Sequence, residues 1–315
     1  MSDQAWERAA LREILDEALR ERRRNRLWRI ITRIALVVAI LVLAISITQC
    51  AMTTDKEEVG PHTAEVRINE PIMSDSASSA DNVIKGLNAA FEADDVAGVV
   101  LRINTPGGSP VHSQRIYDEI KRLRDEHPDI PVHAVIDDIG VSGGYFVAAA
   151  ADKIHVGGSS VVGSIGVIAG SFGAEEALEK LGLERRVHTA GEDKAFLDPF
   201  SPLRDDHVEH LRLMLEDMHQ QFIDAVREGR GERLDEENNE DLFSGLVWTG
   251  AQSIELGLAD EIGSVSSVAR DVIGEEEVVD YTAKRDFFTE LSEQFGISVG
   301  QGLYYTLKRL EYQVH

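Results

Sequence analysis

Apolar positions follow three different patterns along this chain. From Ile34 to Met52 they are nearly continuous, 19 residues without a charge, close to the ~20 that cross a bilayer core as a helix. A solvated core helix of that length would show a polar face, so the pattern predicts one transmembrane helix at 34–52. From Ala64 onward, short β-branched runs alternate with amphipathic stretches. Strands are expected at Glu65–Ile72, Gly98–Ile103, Val132–Ile136, Lys153–Val156, Ile165–Ile168 and Arg185–His188, with helices at Ala80–Glu92, Ser113–Glu126, Gly143–Ala151 and Ala174–Leu181 between them. Such alternation predicts an α/β domain with a largely parallel sheet and right-handed crossovers. After Pro202 the pattern turns helical, notably over Asp205–Glu228, where Leu211, Leu215, Met218, Phe222 and Val226 recur at helical spacing. This part is expected to pack on the sheet or on a neighbouring subunit.

These patterns divide the chain into a basic helical segment at 1–33, the span at 34–52, a linker at 53–62 holding Gly60-Pro61, and one domain at 63–315. Residues 263–315 of that domain are expected to be a helical C-terminal part. The charged run from Glu228 to Asp241 is expected to be a surface loop. The Arg cluster from Arg20 to Arg33 directly precedes the span, and positive flanks stay in the cytoplasm. The N-terminus is therefore expected inside the cell membrane and the large domain outside it. A cleaved signal peptide fits less well, because 33 residues precede the apolar run.

Charge narrows the partners. The net charge is −24, yet residues 1–54 carry nine Arg against six acids, so the acid excess lies in the large domain. That surface would repel phosphates, which argues against nucleic-acid binding. The acid surplus, with 24 Arg and only eight Lys, also fits adaptation to high salt. Cys50 is the sole cysteine, so no intrachain disulfide can form. Gln49 before it is bulky where a lipoprotein cleavage site needs a small residue.

Three segments carry candidate chemistry. Asn104-Thr105-Pro106-Gly107-Gly108-Ser109 follows an expected strand, at the sheet edge where open α/β folds bind ligands. Its adjacent glycines let a carbonyl approach the backbone, so the turn reads either as an oxyanion hole or as an ordinary tight turn. Gly140-Val141-Ser142-Gly143-Gly144 puts Ser142 at a helix N-terminus, where unpaired N–H groups favour developing negative charge. There it is either a nucleophile or a simple helix cap. The loop Ala190–Phe200 holds Lys194 beside Ala195-Phe196-Leu197 and Pro199-Phe200. Either Lys194 is a solvated charge, or apolar company buries its amine and favours the uncharged form that a base needs.

Taken in order, G-V-V-L-R-I-N-T-P-G-G, V-S-G-G-Y-F-V-A-A-A-A-D-K-I, V-G-S-I-G-V and G-E-D-K-A-F-L-D-P-F resemble the signal peptide peptidase family of serine proteases, over about Ala64 to Gly263. The resemblance implies the crotonase and caseinolytic-protease fold. It implies Ser142 as nucleophile, Lys194 as general base and Ser164 as the hydroxyl that hydrogen-bonds the lysine amine. The implied oxyanion hole uses backbone N–H groups of Gly107 or Gly108 and of Gly143. A Ser-Lys dyad working through an acyl-enzyme needs no metal or cofactor. The resemblance further implies a homo-oligomer on the membrane, with sites completed by neighbouring protomers. Its substrates would be peptides such as remnant signal peptides or segments of membrane proteins.

Other readings compete. A Ser-His-Asp protease of the same fold would need a histidine such as His155 or His188. A hydratase or isomerase of the crotonase kind would want a catalytic Glu and no anchor. A non-catalytic oligomeric membrane scaffold would have lost its peptidase activity. His207, Glu209 and His210 lack the H-E-x-x-H spacing of a zinc site and are expected on a solvated face. Tyr304-Tyr305 are expected in a core or an interface.

Overall fold

A computed structural model describes residues 28–42 and 60–283. Contacts divide the chain into two compact units, residues 1–59 and 60–315. In the first, residues 28–42 form a helix, α1, with exposed side chains throughout. No helix among the described residues is long and apolar enough to cross a membrane. Residues 43–52 of the expected span lie outside the described residues, as do Tyr304 and Tyr305.

The second unit is mixed α/β with a largely parallel sheet. In chain order its first elements are β1 (His62–Ile68), α2 (Ala80–Phe91), β2 (Val96–Thr105), α3 (Pro110–Glu126), β3 (Val132–Val141), α4 (Gly143–Ala148), β4 (Lys153–Val156) and β5 (Val161–Gly163). Then follow α5 (Glu175–Lys180), α6 (Asp205–Arg230), a 3₁₀ turn at Gly231–Arg233, β6 (Val247–Thr249), α7 (Gly250–Glu255) and β7 (Glu261–Ile262). A short α8 (Val265–Ser267) runs into a π turn at Val268–Ile273, and β8 is Val278–Asp280.

The strands run in the order β6-β5-β3-β2-β1-β8, and β4 links β3 to β7. Every pairing is parallel except β5 with β6. Strands covered on both faces read as continuous apolar runs; in β1, six of seven residues are buried. The long strand β3 serves two partners on one edge. Its first half, His133 to Ile136, pairs with β4, and its last three residues, Ile139 to Val141, pair with β5. The carboxyl end of β3 thus meets β5, and the chain leaves both strands at one place.

The helix that follows β3 is locked from below. All six residues of α4 are buried, and the Tyr145 hydroxyl donates to Leu258 O at 2.8 Å. Phe146 packs against Tyr117 of α3 and Phe222 of α6, with ring centroids 5.3 and 4.9 Å apart. Burying each such aromatic contributes on the order of 2 kcal/mol.

Four expectations are corrected. Ile165–Ile168 is not a strand: β5 ends at Gly163, and Ile168 is 91% exposed. Arg185–His188 lies in an exposed loop, without a strand partner among the described residues. In the run from Glu228 to Asp241, the first three residues finish α6, and Arg230 is 1% exposed. Its guanidinium grips Asp260 at 2.7 and 3.0 Å and donates to Gly257 O at 2.9 Å. Finally, residues 263–283 of the expected helical C-terminal part are not uniformly helical, because β8 returns to pair with β1 at the sheet edge; residues 284–315 lie outside the described residues.

Candidate active site

The turn after β2 is held open by hydrogen bonds to the segment after β1. The Thr105 hydroxyl donates to Glu70 O at 2.7 Å and accepts from Gly107 N at 3.2 Å. Ile72 N donates to Gly107 O, and Ser109 N donates to Ile72 O, both at 2.8 Å. Gly107 has φ 91° and Gly108 φ 154°, angles that side chains resist. A Cβ on Gly108 would lie 2.3 Å from Ile72 O. Since the Gly107 N–H is engaged by Thr105, Gly108 is the better oxyanion donor of the two.

This turn abuts the turn after β3. A Cβ on Gly107 would lie 2.6 Å from Gly143 N and 2.8 Å from Ser142 Cβ, and one on Gly143 would lie 3.2 Å from Gly108 N. The backbone amides of Gly108 and Gly143 are therefore neighbours, with Ser142 beside them. Such paired amides next to a hydroxyl are what an acyl-transfer oxyanion needs.

Ser142 itself has φ 52° and ψ −126°, and its side chain makes no capping hydrogen bond to α4. The simple cap reading thus loses its basis. Its N–H donates to Gly163 O at 2.8 Å, and its carbonyl accepts from Phe146 N at 2.9 Å. A left-handed non-glycine residue costs on the order of 1–3 kcal/mol and persists where the surroundings over-determine it. Here both the amide and the carbonyl are fixed, leaving the hydroxyl without a structural duty in the helix. Ser164 lies alongside, also at φ 52°, with its N–H on Leu246 O at 2.7 Å.

Lys194 makes no hydrogen bond to Ser142 or Ser164 among the described residues. It is exposed, in a turn whose amide donates to Gly191 O at 3.3 Å. An ion pair between Arg185 and Asp198 closes the loop, and the Arg185 guanidinium lies 5.0 Å from the Phe200 ring centroid. Arg185 holds the Asp198 carboxyl below its usual range, with Ser201 adding a 2.6 Å bond.

Helix α6 ties both regions together and separates them. His207 in its first turn bonds Asp193 Oδ1 at 3.0 Å. His219, twelve residues on, lies with Nε2 3.0 Å from Ile165 O, next to Ser164. Twelve helical residues rise about 18 Å, so these two contacts lie about three turns apart on α6.

His207 corrects the expected solvated face, being only 7% exposed. Glu209 and His210 are both exposed, as expected; Glu209 pairs with Arg212, and His210 meets the edge of the Phe196 ring at 5.6 Å. Asp193, Asp206 and His207 could in principle hold a cation. However, the Arg204 guanidinium already lies 3.0 Å from Asp193 and also pairs with Asp206, so positive charge is supplied. His155 is buried against His133 at 3.0 Å, and Val135 is its register partner on β3. Six residues of strand, about 20 Å, lie between that position and the end of β3 before Ser142. His188 is exposed on the loop limb.

Comparison with known proteins gives a family match. Residues 124–278 match the family model described as Peptidase family S49, a stretch that holds Ser142, Ser164 and Lys194 but not the Pro106-Gly107-Gly108 turn. Protease 4 of Haemophilus influenzae is 30% identical over 219 residues, 68% of this chain and 34% of that protein. The chloroplastic serine protease SPPA of Arabidopsis thaliana is 29% identical over 202 residues, 64% of this chain and 29% of that protein. A Brucella abortus protein named Na(+)/H(+) antiporter NhaA is 42% identical over 215 residues, 67% of this chain and 29% of that protein. The match thus spans about a third or less of the length of each.

Proposed function

This chain belongs to peptidase family S49 through residues 124–278, and from that premise we propose that it is a membrane-anchored serine endopeptidase with a Ser142–Lys194 dyad. The observation that carries the reading is the Ser142 turn: a left-handed residue whose hydroxyl caps nothing, set beside the amides of Gly108 and Gly143.

Lys194, uncharged, takes the Ser142 hydroxyl proton as the oxygen attacks the peptide carbonyl. Gly108 and Gly143 N–H groups receive the oxyanion. Collapse breaks the C–N bond, and the leaving amine takes the proton back from Lys194. Water, losing a proton to Lys194, then attacks the acyl ester; collapse breaks the ester C–O bond, and the departing Ser142 oxygen takes that proton from Lys194. Ser164, one strand away from Ser142, orients the amine. No metal or cofactor enters these steps.

Two observations support a dyad shared between protomers. The His207 contact with the Lys194 loop and the His219 contact beside Ser164 stand twelve residues apart on α6, a rise of about 18 Å. The same arm exposes Phe172 at 72%, Leu181 at 70% and Leu203 at 71%, apolar surface that a second copy would cover. The reading is thus of a homo-oligomer of crotonase and caseinolytic-protease class, anchored through 34–52 with its N-terminus cytoplasmic and its peptidase domain extracytoplasmic. Its substrates are extended apolar peptides, signal peptides or membrane-protein segments, and not nucleic acid. The Ser-His alternative is disfavoured by the burial of His155 and its distance along β3. The scaffold alternative has no observation in its favour.

Mixing Ser142→Ala with Lys194→Ala protein tests this. Each alone should be inactive on an apolar fluorogenic peptide, and subunit exchange should restore activity by forming sites with one intact Ser142 and one intact Lys194. Exchange without recovery contradicts a shared site; activity in either variant alone contradicts the dyad.

A further inference from the structure

We infer that His207 is a positioning residue for Lys194, an inference that rests on Lys194 being the base. His207 is 7% exposed and reaches both flanks of the lysine. On one side, its Nδ1 accepts the Leu197 N–H at 3.4 Å. On the other, its Nε2 lies 3.0 Å from Asp193 Oδ1. An amide can only donate, so Nδ1 carries the lone pair, and Nε2 carries the hydrogen that Asp193 accepts. The imidazole therefore bridges the residue just before Lys194 and the residue three after it.

Two further features give the bridge a purpose. Leu197 has φ 51°, a left-handed conformation that a branched side chain resists. The bond to its amide holds that conformation. The Phe196 ring lies 5.0 Å from the imidazole, centroid to centroid, closing the apolar side. His207 stands in the first turn of a 26-residue helix whose other half buries Phe222 and Val226, with Phe222 against Phe146 of α4. It thus ties a loop of exposed residues to the rigid part of the domain, and the Lys194 backbone takes its position from that tie. A base misplaced by about 1 Å can lose on the order of a hundredfold in rate.

The test uses the full chain and four variants. His207→Ala removes both bonds. His207→Asn keeps an acceptor near the Nδ1 position for Leu197, and His207→Gln keeps a donor near the Nε2 position for Asp193. Lys194→Ala is the reference for loss of the base. The expected result is a kcat for His207→Ala about 10- to 100-fold below wild type, with KM within about twofold and the assembly intact, and partial recovery in Asn or Gln. If the Ala protein fails to assemble, Asn and Gln, which fill similar space, carry the comparison. Wild-type kcat in His207→Ala beside an inactive Lys194→Ala overturns the role of His207 alone. So does a rate loss that only tracks the fraction folded. Full activity in Lys194→Ala overturns the base itself, and the inference with it.

Discussion

Ser142 and Ser164 each follow one member of a paired position, Val141 and Gly163, at the carboxyl ends of the parallel strands β3 and β5. Both adopt φ 52°, and the Ser142 N–H on Gly163 O fixes their spacing at about one strand separation. Two hydroxyls side by side in strained turns, beside the Gly108 and Gly143 amides, make one cluster out of three separate stretches of chain.

Strain at Ser142 sets stability against activity. Ser142→Gly relieves the left-handed backbone and should raise stability by about 1 kcal/mol, or roughly 2–4 °C in melting temperature. It should also cut peptide hydrolysis by at least about a thousandfold. Ser142→Ala should lose the activity without the stability gain. Calorimetry alongside a peptidase assay checks both.

Crowding between the two turns predicts a graded response. Gly143→Ala presses on Gly108 N at 3.2 Å, and the nearer clash, at 2.3 Å, is with the rotatable Ser113 hydroxyl. The fold should survive and kcat should fall about a hundredfold. Gly107→Ala meets backbone atoms at 2.6 and 2.8 Å, so activity and folded yield should fall together.

The buried histidine pair gives a pH dependence. Burial, with His155 close by, pushes His133 down to about 4 from an ordinary 6.5; burial also lowers His155. Between these values the unfolded chain takes up a proton that the folded one refuses. The contribution is therefore complete above about pH 6.5 and is lost progressively as pH falls toward 4. Melting temperatures measured from pH 7 to 4.5 should drop, and the slope should flatten in His133→Asn.

Arg230 and Asp260 form the most deeply buried ion pair described. Burial pushes the Asp260 carboxyl up, yet bonds from Arg230 and from Ile154 N–H outweigh it and hold it below its usual range. Asp260→Ala should cost about 3–5 kcal/mol in denaturant unfolding by stranding the guanidinium, while the double change Arg230→Met with Asp260→Leu should cost less.

The central strands, α2, α3 and α6 and the two glycine turns were legible because each is local: apolar runs, helical spacing and turn chemistry leave marks in a few adjacent residues. Gly163 and Trp248 were not, since β5 and β6 are three residues long and exist through pairing across a wide sequence gap. Arg185–His188 reads as a strand from the sequence because Val187 follows a helix and a glycine turn, but no partner strand reaches it among the described residues. The burial of His207 left no local signal, and its spacing points to a solvated face. Its burial depends on a loop folding back over the first turn of α6, a tertiary event that spacing does not record.

The most direct measurement is covalent labelling of the assembled protein with a serine-reactive phosphonate, read by mass spectrometry of the modified peptide. The account predicts one adduct, on Ser142, abolished by Lys194→Ala and retained in His155→Ala. An adduct on another residue, or full labelling of Ser142 in Lys194→Ala, would contradict it.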